Sequence, residues 1–186
     1  DGIDEILKKY LSNLKKETQG KIVWDKEETA PGDSRVKLKS VKIISENKVT
    51  ASTKIDKDIV IEIDYWNYEE GAKRLISIHL INEVGVTVFA VSNFEATSLE
   101  KDKWYYKPYP KGLFKTRMTI PAFFLNDGLY SISLFINRNA TEGAIIKQRN
   151  LISFSVEDSL DMRTEFKGKW IGVVRPKLSW RTKKID

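Results

Sequence analysis

The sequence predicts an all-β protein: an antiparallel β-sandwich of jelly-roll or immunoglobulin-like type, preceded by a short N-terminal amphipathic helix. Three observations carry this. Apolar and polar residues alternate with period two in segment after segment. Turn signals punctuate the segments: Pro31-Gly32-Asp33, Glu70-Gly71, Glu83-Val84-Gly85, Asn126-Asp127-Gly128 and Glu142-Gly143. No long helical pattern separates the segments, which argues against a parallel βαβ sheet.

The elements follow in order. Ile3, Ile6, Leu7, Tyr10, Leu11 and Leu14 form one apolar stripe at helical spacing, and Gly20 follows as a stop. Residues 1–20 are thus expected to be a helix, and 21–186 the sandwich. In the first long strand, Val36, Leu38 and Ser40 alternate with Lys37 and Lys39, and then Val41 and Ile43 take the apolar role. That change of phase marks a bulge or a bend. Ile59, Ile61, Ile63 and Tyr65 face away from Val60, Glu62, Asp64 and Trp66. Ile76, Ile78 and Leu80 alternate with Ser77, His79 and Ile81. Phe114, Thr116, Met118 and Ile120 alternate with Lys115, Arg117 and Thr119. Tyr130, Ile132, Leu134 and Ile136 alternate with Ser131, Ser133, Phe135 and Asn137. A last core strand is expected over Leu151 to Val156.

Composition removes several function classes. The chain has 186 residues, enough for one domain with a sizeable core at 41% hydrophobic. It has no cysteine, so disulfides, thiolate zinc sites, iron–sulfur clusters and cysteine nucleophiles are excluded. Its one histidine, His79, rules out a multi-histidine metal site within the chain. No apolar run reaches the length of a membrane helix, and no signal peptide is read at the start. The first residue is Asp1, so the chain is expected to be a piece of a longer protein. The glycines form neither GxxxxGK[ST] nor GxGxxG, so no cofactor and no nucleotide are expected here. Between residues 163 and 186 stand eight bases and two acids, which accounts for the whole net charge of +6. Such a tail suits an acidic partner, a phosphate-bearing ligand or a membrane surface, or is a solvated edge strand.

The aromatic residues point to sugar. Trp66 shares a strand face with Glu62 and Asp64, and Phe135 shares one with Ser131, Ser133 and Asn137. A ring takes the apolar face of a pyranose while flanking polar groups take its hydroxyls. The expected hydrogen-bonding partners are Glu62, Asp64, His79, Arg117 and Asn137. The run Trp104-Tyr105-Tyr106-Lys107-Pro108-Tyr109 is either an exposed stacking platform, with Trp104 and Tyr106 on the sugar, or a loop folded into one end of the core. The acids of the pairs Asp56/Asp58 and Glu62/Asp64 share a face simply because strands alternate, so the chain is read as non-enzymatic. Nucleic-acid binding is not expected, because the charge excess is confined to one segment that alternates with apolar residues.

The ending Phe166-Lys-Gly-Lys-Trp170-Ile-Gly172-Val-Val-Arg175-Pro176-Lys-Leu178-Ser-Trp180 resembles the C-terminal domain of the ATP-binding subunit of polysaccharide-exporting ABC transporters, the Wzt-type O-antigen exporters. Pro31-Gly32-Asp33-x-x-Val36-x-Leu38 and the opening Asp4-Glu5-Ile6-Leu7-x-x-Tyr10-Leu11 are similar to that family as well. The resemblance implies a cytoplasmic β-sandwich that binds the finished glycan, sits behind an upstream nucleotide-binding domain and serves a membrane-spanning subunit. It further implies a homodimer built by exchange of the last strand, residues 166–186. Trp170, Gly172, Val173, Val174, Arg175, Pro176, Leu178 and Trp180 would then be dimer contacts rather than sugar ligands. A dimerisation module without any glycan site is the alternative reading.

Overall fold

The structure is a computed structural model that describes residues 20–139, 141–159, 166, 168 and 170–185. The expected helix over 1–20 lies outside the described residues, apart from Gly20.

Ten strands form two five-stranded sheets. Sheet A runs in the order β1 (Lys21–Val23), β2 (Val36–Ser45), β5 (Ile59–Asn67), β8 (Gly112–Ile120), with β3 (Lys48–Val49) paired to the end of β2. Sheet B runs in the order β4 (Ser52–Lys54), β10 (Ala144–Glu157), β9 (Gly128–Asn137), β6 (Leu75–Asn82), β7 (Thr87–Ser92). The predicted antiparallel sandwich is present, with one exception: β4 runs parallel to β10. The last core strand is also longer than expected. It begins at Ala144 rather than Leu151, and the register slips between Gln148 and Ile152, where the irregularity hides the alternation from a period-two reading.

The phase change seen in the sequence is a bulge. The β2–β5 register slips between Leu38 and Ser40, so Leu38 and Val41 both point inward. The long strands β2, β5, β6, β9 and β10 then present their apolar set to the space between the sheets. Val41, Ile61 and Ile63 meet Leu80, Ile132, Leu134 and Phe154 from the other side, all essentially without solvent contact. Apolar area removed from water is the main driving force for this arrangement.

Polar groups close one end of the sandwich. The Arg74 guanidinium, fully buried at the start of β6, donates from Nε to Asn67 Oδ1 (2.8 Å) and from Nη2 to the Arg35 carbonyl (3.0 Å). Nη2 also lies 3.2 Å from Glu69 Oε2. Asn67 Nδ2 in turn donates to the Glu69 and Pro110 carbonyls, both at 2.8 Å. Glu69 reaches across to Arg138 at the end of β9, at 3.0 Å. Arg74 thus ties the chain at Arg35 to that at Asn67 and Glu69, which in turn reach Pro110 and Arg138.

Candidate functional site

The sequence-predicted residues fall on three separate surfaces and do not converge. The first is the outer face of sheet A. The strand registers place Lys21, Lys42, Glu62 and Arg117 in one row across the sheet. Val23, Ser40, Asp64 and Lys115 form the next row, and Lys37, Trp66 and Leu113 the one beyond it. Glu62 is only 3% exposed. Its Oε1 accepts from Lys115 Nζ (2.8 Å) and Lys42 Nζ (3.1 Å), and its Oε2 lies 2.6 Å from Arg117 Nη2. Asp64 Oδ2 accepts from Ser40 Oγ at 2.9 Å, and Lys115 Nζ stands 3.5 Å from Oδ1. Both carboxylates therefore serve neighbouring cations instead of presenting free acceptors to a sugar. Trp66 is half-buried, with the Lys39 ammonium 5.3 Å from its ring centroid. Lys39, Lys42 and Lys115 were not named as functional candidates from sequence. Their alternation was visible, but the cross-strand register that gathers them around Glu62 was not.

Burial pushes the Glu62 carboxyl up, yet the hydrogen bonds from Lys115, Arg117 and Lys42 outweigh it and hold the group at about 2. A carboxyl whose folded value lies below its unfolded one stabilises the fold above the unfolded value. That contribution is lost as pH falls through the folded value. Glu62→Gln is therefore expected to lower stability at pH 7 by on the order of 2 kcal/mol, after discounting for the solvent around its cations. The gap from the unsubstituted chain should close as pH drops from 4.5 towards 2. Thermal melts of both proteins across that range check it, and a constant gap refutes it.

The second surface is the outer face of sheet B. Phe135 on β9 pairs laterally with Ser77 on β6 and Lys147 on β10, while His79 sits beside Ser133. The His79 and Phe135 rings lie 4.7 Å apart at 43°. Hydroxyls surround them: Ser77 Oγ and Ser92 Oγ share a hydrogen bond of 2.7 Å, and Ser133 Oγ accepts from the Asn150 amide at 2.9 Å. Asn137 lies two residues along from Phe135 on the same face, its Nδ2 donating to the Glu142 carbonyl. Both rings are partly solvent-exposed.

The third surface is the gap between the sheets along their free edges. β8 ends sheet A and β7 ends sheet B, and between them opens a cleft of about 640 Å³ with an aromatic wall and a polar rim that includes Lys101, Asp102, Lys115 and Arg117. Phe89, Val91, Phe114, Met118 and Phe124 line it, together with Trp104. The aromatic run divides. Tyr109 is buried against Tyr65, and Trp104 packs at 5.1 Å on Tyr109 and 5.3 Å on Phe114, so both rings close the core end. Tyr106 alone of the three points out, with the Lys73 ammonium 4.6 Å from its ring. The folded-loop alternative thus describes Trp104, and the platform alternative describes Tyr106.

The C-terminal motif also divides. Its first half docks on its own domain. Asn126 Nδ2 donates to the Gly172 carbonyl at 2.8 Å, and the Tyr130 hydroxyl donates to the Val173 carbonyl at 3.2 Å. Val174 bridges Leu125, and the Arg175 guanidinium meets Asp158 at 2.9 Å and covers the Trp170 ring at 5.2 Å. The second half turns outward. Leu178 is 68% exposed, Trp180 90% and Ile185 93%, and no strand forms among the described residues from 170 to 185.

Among the described residues no cluster of histidine and acidic side chains is able to hold a metal ion, and no helix is long and apolar enough to cross a membrane.

No protein family and no curated protein matches the chain. Solved structures do. The C-terminal domain of wzt superposes with a TM-score of 0.63 at 14% identity, over 82% of this chain and 86% of that one. A β-glucuronidase of Parabacteroides merdae aligns at 16% identity over 66% of this chain and 14% of its own, with a TM-score of 0.37. A β-glucosidase of Listeria innocua gives the same score at 10% identity, over 67% of this chain and 16% of its own. The sandwich described above therefore has the fold of the C-terminal domain of wzt.

Proposed function

We propose that this chain is a non-catalytic carbohydrate-recognition domain that presents an O-antigen-type polysaccharide to an ABC transporter, as a homodimer at the cytoplasmic face of the membrane. The observation that carries the reading is the His79–Phe135 ring pair set among serines on the open face of sheet B. A pyranose stacks its apolar face on such a ring, and the half-buried Ser77 and Ser131 hydroxyls, His79 and Asn137 take its hydroxyl groups. The likeness to the C-terminal domain of wzt and the resemblance of the terminal motif supply the transport setting. The dimer is supported by the exposed apolar end of the tail and by the outer edge of β8, which no described strand covers, beside a cleft with an aromatic wall.

The test is a two-dimensional NMR titration of the chain with the source cell's own surface polysaccharide, intact and with its non-reducing end trimmed. Amides around Phe135 and His79 are expected to shift, and Phe135→Ala to weaken binding about tenfold, the loss of one ring contact. Shifts with the intact polymer alone mean that the finished end is read. No shift with either overturns the glycan reading and leaves a dimerisation module.

A further inference from the structure

We infer that the outer face of sheet A recognises carboxylate groups of the same polymer, so that the substrate class is an acidic, uronate-bearing polysaccharide. This rests on the carbohydrate reading above, but it is carried by different residues on the opposite sheet.

The face is basic by construction. Lys21, Lys37, Lys39, Lys42, Lys115 and Arg117 project from adjoining rows of β1, β2 and β8, against only Glu62 and Asp64 on β5. The signs are also separated by depth. Both carboxylates are buried, while Lys115 is half exposed and Arg117 is 61% exposed. What faces solvent is therefore cationic, with its counter-charge beneath. The rest of the chain makes this asymmetry unusual, because outside residues 163–186 its charges balance. Generic solubility would intersperse exposed acids and bases over the sheet.

The buried carboxylate also fixes the cations. Glu62 holds three long side chains at 2.6 to 3.1 Å, so much of the rotamer freedom that an anion would otherwise have to freeze is already gone. Arg117 uses Nε and Nη2 on Glu62 Oε2, which leaves Nη1 outside that clamp for an incoming oxygen. Lys115 sits one step along the strand from the Trp66 row, roughly 7 Å away on the same face. A sugar ring resting on Trp66 therefore places a ring carboxylate within reach of Lys115 on one side and of Lys39 on the other. A lipid headgroup would not use the half-buried Trp66 ring. Nucleic acid would demand a longer basic track than these three rows.

The test uses ¹⁵N-labelled full chain and two probes: oligogalacturonate, and the same oligomer with its carboxyls reduced to alcohols. Amides of the Glu62–Arg117 and Asp64–Lys115 rows are expected to shift with the acidic oligomer alone, with affinity falling as salt rises. Lys115→Gln/Arg117→Gln is expected to weaken binding at least tenfold. Because that variant strips two partners from Glu62, Lys39→Gln/Lys21→Gln, which leaves the clamp intact, is measured beside it and is expected to weaken binding severalfold. Equal shifts of these rows with the reduced oligomer overturn the inference. So does a response to phosphatidylglycerol vesicles or duplex DNA without one to oligogalacturonate. If the source polysaccharide moves the Phe135 face while acidic oligomers leave sheet A silent, this inference falls and the carbohydrate reading stands. If neither face responds to any glycan, both fall.

Discussion

Replacing Arg74 with methionine is expected to destabilise the domain by about 3–5 kcal/mol, the usual consequence of removing one partner from a buried ionic cluster. At roughly 2–4 °C per kcal/mol for a chain of this size, the midpoint should fall by about 10 °C. The cause is what stays behind. Methionine fills most of the volume but leaves the Asn67 amide oxygen, the Arg35 carbonyl and Glu69 Oε2 without the donor that satisfied them. A buried acceptor left unmade is penalised far more than the bond was worth net. Burial itself lowers the proton affinity of Arg74, and Glu69 pulls the other way, so the cation depends on its partner. Arg74→Lys tests the geometry. An ammonium keeps the charge but lacks the planar fork that reaches two acceptors at once, so most of the loss should persist. In Arg74→Met/Glu69→Gln, part of the loss should return, because the stranded charge is removed with its partner. Denaturant melts of the three variants decide this. A loss under 1 kcal/mol for the methionine variant means that the cluster does not hold the end of the sandwich together.

Much of the fold was legible because strands with one buried face write their partner into the sequence. Ile59, Ile61, Ile63 and Tyr65 all turned inward as their alternation required, and the slip between Leu38 and Ser40 was visible as a change of phase. The short strands were not legible. β3 and β4 are two and three residues long, too short for any period. The parallel pairing of β4 with β10 joins residues about a hundred positions apart and leaves no local mark. The site was legible in kind and not in assembly. Most strand faces were read correctly, so Phe135 does stand with Ser131 and Asn137, and Trp66 with Asp64, whereas Ser40, grouped with Val36 and Leu38, turns to the outer face beside Asp64. Which strands lie side by side depends on topology, so nothing in the sequence showed that Glu62 would be taken by Lys42, Lys115 and Arg117. Trp104 and Tyr106 differ for a similar reason. Neighbours in an aromatic run look alike until a turn sends one ring to the core and the other to solvent, and Tyr106 sits at such a turn with φ of 62°.

On the proposed dimer, deletion of residues 178–186 is expected to leave a monomer. The tail is held firmly as far as Arg175, by Asp158, Asn126 and Tyr130, and Lys177 lies 3.6 Å over the Phe123 ring. Beyond that point Leu178, Trp180 and Ile185 stand in solvent, an arrangement that water opposes for side chains of this size. Leu178 and Trp180 are two apart, so in an extended chain they share one face. The domain offers a matching seat. Among the described residues no strand pairs with the outer edge of β8, and the cleft beside it is lined in part by Phe114, Met118 and Phe89. A strand from a second copy laid along β8 pairs its backbone there and drops alternate side chains into the cleft. The same exchange made in both directions closes a two-fold dimer. Trp180→Asp should act like the deletion, because it removes the large apolar side chain that the Phe89, Phe114 and Met118 wall would bury. Arg175→Ala should weaken the dimer by a smaller factor, since it loosens the anchor without touching the seat. Sedimentation velocity over a range of concentrations reads all three. A deleted chain that remains dimeric places the contact on another surface, and the exposed tail is then left without a partner in its own kind.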